Sequence, residues 1–125
     1  MKQKLTVLIL LAVAACVTGS TAWAVEPAGK LTKTQLMSLI RTAKTPADHM
    51  KLANYYRYEA NRLEADVKEH EGMAAAYDKN PMAHPIPKGQ TLGDHCRNLM
   101  KYYGEGASDA NAMAAMHEEM AKAAK

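Results

Sequence analysis

The chain has 125 residues, 48% of them hydrophobic and 23% charged, with 16 Lys and Arg against 13 Asp and Glu. That length suits one domain and excludes two sizeable ones. The small charge excess gives no electrostatic case for nucleic acid, and with no Phe and a single Trp a large aromatic core is excluded.

A short basic start, Met1-Lys2-Gln3-Lys4, precedes an apolar run from Leu5 to Val17. The run is too short to span a bilayer comfortably. Ala22-Trp23-Ala24 then supplies a small-x-small cleavage signal. Residues 1–24 therefore read as a secretory signal peptide cut after Ala24, and the expected location is periplasmic or secreted. A rival reading takes "VAAC", Val13 to Cys16, as a lipoprotein signal that would anchor the chain to a membrane through Cys16. Without residues 1–24 the net charge falls to about +1, and Cys96 is then the one thiol. A lone cysteine in an exported chain makes no internal bridge.

Residues 25–31 form a short leader, expected to be flexible. From 32 to 43, Leu36, Leu39, Ile40 and Ala43 share one helical face, which predicts a short amphipathic helix. "TPADH" follows. Thr45 suits an N-cap, Pro46 a first helical position, and Asp48 a reciprocal cap three residues on. The spacing predicts a long helix over about 46–78. "KNPMAHPIPKGQ" holds three prolines and a glycine and must be a connection. Thr91 and Asp94 repeat the start signal, and a second long helix runs over about 91–123.

These two segments are an internal repeat. A shift of 47 places Leu52 on Leu99, Tyr55-Tyr56 on Tyr102-Tyr103, His70 on His117 and Met73 on Met120. Each carries an alternating four- and three-residue seam. In the first it is His49, Ala53, Tyr56, Ala60, Leu63, Val67, His70, Ala74 and Tyr77. In the second it is Cys96, Met100, Tyr103, Ala107, Ala110, Ala114, His117, Ala121 and Ala124. Such a strict heptad predicts a coiled-coil contact. The expected fold is all-α: a long antiparallel helical hairpin with an Ala-rich seam and a short N-terminal amphipathic helix. Pairing about the centre of the connection sets His49 against His117, Tyr56 against Ala110, Leu63 against Tyr103 and His70 against Cys96. A further apolar edge, Leu99, Met113, Met116 and Met120, needs a cover. A homodimer through the second long helix is the expected partner arrangement.

Imidazole, thiolate and thioether together form a donor set for copper or zinc. The loop end of the hairpin offers His70, Met73, His95 and Cys96, with His84 and Met82 in the connection. The open end offers His49, His117, Met50 and Met120. Against a dedicated site, there is no Cys-x-x-Cys, no Cys-x-x-Cys-His and no His-Glu-x-x-His. Methionine is a common filler of helical cores, and a seam histidine can simply pack its ring. Tyr56 and Tyr103 read as core. A thiol-dependent activity on Cys96, paired with His70, is the third reading. A slim hairpin offers no cleft or oxyanion donors for it, so the chain is expected not to be an enzyme.

The string "TPADH…LANYYRYEA…LEA…EHEGMAAAY…HC…YY…H..MA" resembles small exported bacterial helical proteins. The resemblance covers about Lys44 to Ala123 and implies a helical envelope protein. It brings neither an activity nor a functional residue. The expected function is that of a non-catalytic structural or interaction module of the envelope, with soft-metal binding as the alternative.

Overall fold

The computed structural model describes residues 28–81 and 89–124. The expected signal segment with Cys16 and the first three residues of the expected leader lie outside them, as do Met82 and His84 of the connection. Three helices are present, α1 (Lys33–Thr42), α2 (Pro46–Lys79) and α3 (Leu92–Ala123). Among the described residues there is no strand. None of these helices is long and apolar enough to cross a membrane. The chain is an all-α helical hairpin in which α2 and α3 pack along their lengths. At 34 residues α2 is a rod of about 50 Å.

Each helix begins in the same way. The Thr45 hydroxyl accepts from the Asp48 amide at 3.1 Å, and the Asp48 carboxylate accepts from the Thr45 amide at 3.1 Å. Thr91 and Asp94 make the same pair of bonds at 3.0 and 2.9 Å. Thr32 and Gln35 do so for α1. These bonds satisfy amides that the first helical turn leaves without partners. They also favour the ionised acids. Asp94 is held down to about 2, first by the Arg97 guanidinium and then by the Thr91 amide and hydroxyl. Asp48 is lowered by the Thr45 hydroxyl and the amides of Lys44 and Thr45.

Every one of the eighteen seam positions is buried or half-buried. Ala53, Ala60 and Ala114 are fully enclosed. Cross-helix contacts fix how the two seams meet. The Tyr56 and His117 rings lie parallel, 5.7 Å apart between centroids. His70 and Tyr103 lie 5.3 Å apart. Leu63 fills the space beside Gly106, where a Cβ would approach it to 3.3 Å. Ion pairs join Arg57 to Glu118 and Arg97 to Asp78. The register that accommodates these contacts sets Tyr56 level with Ala114, Leu63 with Ala107, Val67 with Tyr103, His70 with Met100 and Ala74 with Cys96.

Of the expected pairs, His49 and His117 meet. Elsewhere the layers are shifted by about one turn along α3, with the Tyr56 ring on His117 and the His70 ring on Tyr103. The reason lies in the alternating steps of the seam. Two antiparallel helices stay level only if a four-residue step on one runs beside a four-residue step on the other. Tyr56 to Ala60 runs beside Ala114 to Ala110 and meets that condition. The expected pairing set four-residue steps beside three-residue ones. The register also sets Tyr56, Leu63 and His117 opposite alanines, which gives each large side chain a layer to fill.

Side-chain direction explains the ring contacts. A helical side chain leans toward the N-terminus of its own helix. In antiparallel helices Tyr56 and His117 therefore lean toward each other, and so do His70 and Tyr103.

Leu52 is buried to 1% although it lies outside the seam. It sits on the part of α2 against which α1 and the leader pack. At Gly29 the backbone has φ +97°, and a Cβ there would collide with the Asn54 carbonyl and Tyr58. Glycine is what lets the leader lie directly on α2.

Candidate functional site

The open end of the hairpin gathers the most chemistry. His49 stands in the first turns of α2 because Thr45 and Pro46 start that helix just before it. His117 stands near the end of α3, level with the small Ala53. The two Nδ1 atoms are 3.2 Å apart, and the rings are inclined by 24° with centroids 5.5 Å apart. Because the nitrogens are far closer than the centroids, the rings meet edge to edge through Nδ1. This geometry suits a hydrogen bond in which one Nδ1–H donates to the lone pair of the other, with the roles set by the tautomers. Tyr56 closes the other side of His117 with its parallel ring. His117 thus fills the space between His49 and Tyr56, which are two turns apart on α2.

The His117 imidazole is held below its usual value of 6.5, first by burial and then by the charge His49 would carry. Protonating both rings would place two cations at hydrogen-bond distance. Near neutral pH the His117 imidazole is therefore in its neutral form, with a lone pair available on the pair.

The residues that follow each seam histidine lie on one face of the hairpin. Met50 and Glu118 line a shallow depression of about 370 Å³ there, with Pro46, Ala121 and Lys122. Glu118 is already engaged, accepting from Arg57 Nε at 2.8 Å. Met120 precedes its seam neighbour Ala121, so it belongs to the opposite face from Met50. Of the four open-end candidates, the structure joins His49 and His117 directly, and Met50 lines the depression with Glu118.

At the loop end the expected set is more scattered. The His70 ring turns to Tyr103. Its Nδ1 is buried without a hydrogen-bond partner, so the Cys96 thiol does not bond to it. Cys96 is a free thiol, 6% exposed. His95 and Met73 are exposed, and Met82 and His84 lie outside the described residues. Among the described residues, no three His, Cys, Asp or Glu side chains come close enough together to hold a metal ion. Two neighbours escaped the sequence reading. Met100 lies level with His70, and Tyr56 orients His117. Both were in the seam, but only the register shows which histidine each one meets.

A second feature runs along α3. Leu99, Tyr102, Met113, Met116 and Met120 are 39%, 67%, 41%, 59% and 43% exposed. With Gly106 and Asp109 they repeat the alternating three- and four-residue spacing, one residue ahead of the buried seam. Tyr102 belongs to this stripe, although the apolar edge read from sequence did not include it.

No protein-family model, no curated protein and no solved structure matches the chain.

Proposed function

We propose that the chain is a non-catalytic helical interaction module of the cell envelope that pairs with a second copy of itself through α3. The observation that carries this reading is the apolar stripe from Leu99 to Met120, set at coiled-coil spacing and left without a partner. A single copy presents two heptad seams on α3 and satisfies only one.

A second copy is favoured over an unrelated helix because a two-fold antiparallel pairing of α3 helices sets each stripe on its own likeness and covers both at once. Asp109 interrupts the stripe near its middle, which limits the strength of association and makes the pair reversible. The envelope location rests on the sequence of residues 1–24.

Sedimentation velocity across a concentration series tests the pairing. A concentration-dependent dimer is expected, weakened at least tenfold by Met116→Lys and strengthened by Asp109→Leu. A strict monomer at hundreds of micromolar would end this reading, as would a dimer indifferent to both substitutions.

A further inference from the structure

We propose that the imidazoles of His49 and His117 form a binding site for a single Cu(I) ion, completed by the Met50 thioether. This site is independent of α3 self-pairing, because it lies between α2 and α3 of one chain, and Met50 lies on the face of the hairpin opposite the apolar stripe.

The geometry is that of a ligand pair already assembled. Two imidazole nitrogens bound to one tetrahedral ion at about 2.0–2.1 Å stand about 3.3 Å from each other. The two Nδ1 atoms stand 3.2 Å apart and face each other. Exchange of the shared proton for a metal ion needs each ring to turn outward by about 35°, so that both lone pairs converge on the ion. The donor imidazole moves its proton from Nδ1 to Nε2, so both rings stay neutral and the chain neither gains nor loses a proton. Neutral imidazole is the form that binds metal. The Tyr56 ring, parallel to His117 at 5.7 Å, holds the second imidazole in place.

Donor softness selects the ion. Met50 immediately follows His49 in sequence and lines a depression with Glu118, which immediately follows His117. A thioether favours Cu(I) over harder cations, whereas two imidazoles alone would serve Zn²⁺ or Cu(II) as well. Glu118 lines the same depression, but Arg57 neutralises it through two hydrogen bonds. It therefore adds no net anionic charge to draw in a harder divalent ion.

The test is a competition titration of the full chain with Cu(I) under anaerobic conditions, in parallel with Zn²⁺. One equivalent of Cu(I) is expected to bind. His49→Gln and His117→Gln should each weaken binding by more than about 100-fold, since loss of a ligand exceeds the ten- to hundredfold cost of losing a supporting residue. Met50→Leu should weaken Cu(I) binding while leaving Zn²⁺ binding unchanged. Cys96→Ala should leave Cu(I) binding intact. Nitrogen-15 shifts of the wild-type rings give a readout that needs no variant to fold, and both Nδ1 signals should move on addition of metal. The proposal is overturned if no Cu(I) binds at micromolar concentration, or if the ring signals stay still. It is also overturned if binding survives in His49→Gln and disappears in Cys96→Ala, which would move the metal to the buried thiol.

Discussion

At the scale of single residues, the open-end imidazoles make stability depend on pH in a definite direction. Unfolded His117 titrates near 6.5, and the folded chain holds it lower. Between those two values the unfolded chain binds more protons, so stability falls as the pH falls. Its contribution is complete above about pH 6.5 and is lost as the pH drops toward the lowered folded value. Thermal melts of the wild type between pH 8 and 5 should show a falling midpoint, and His117→Gln should flatten that slope. The acids act lower on the scale. Asp48 and Asp94 favour the fold above the ordinary carboxylate value of 3.8, and Asp94 loses its contribution only as the pH approaches about 2. An acid melt should therefore show two separate losses. The alanines of the seam matter for the opposite property, their lack of bulk. Ala60 and Ala114 have no exposed surface. Ala114→Leu forces extra carbons into the layer it shares with Tyr56 and should cost about 1–3 kcal/mol. Chemical denaturation would reveal it, and an unchanged midpoint would contradict the assigned layer.

At the scale of elements, the helices owe their starts to local chemistry and their persistence to packing. The Thr-x-x-Asp pair appears twice in the sequence and builds a reciprocal cap both times. Thr91→Ala removes the acceptor for the Asp94 amide and should cost about 1 kcal/mol. For a domain of this size that is a drop in midpoint of about 4–8 °C, measurable by circular dichroism. Thr32 and Gln35 form the same motif at the head of α1, and the pattern Thr-x-x-Gln was available in the sequence. The prediction of α1 rested on its apolar face instead. No residue of α1 is fully buried, and Ile40 on that face is 46% exposed. The short helix is therefore held by its cap and by its contact with α2 more than by an enclosed core.

At the scale of the whole molecule, a two-helix hairpin encloses little, and its buried side chains are mainly alanines with Leu52 and Cys96. Such a molecule gains from any surface that covers α3, which is why the exposed methionine stripe and the stability of the chain belong together. The helix limits, the two seams and the antiparallel fold were legible in the sequence, because caps act over three residues and heptads act within one helix. The meeting of His49 and His117 was legible too, since both close the same end of the hairpin. The partners of Tyr56, His70 and Cys96 were not. Spacing along one chain fixes which residues face inward, but it leaves the sliding position of one helix against the other open by whole turns. The tertiary structure decided that position by matching four-residue steps across the seam and bulky rings against alanines. That choice set His117 between His49 and Tyr56 and stacked the His70 ring on Tyr103.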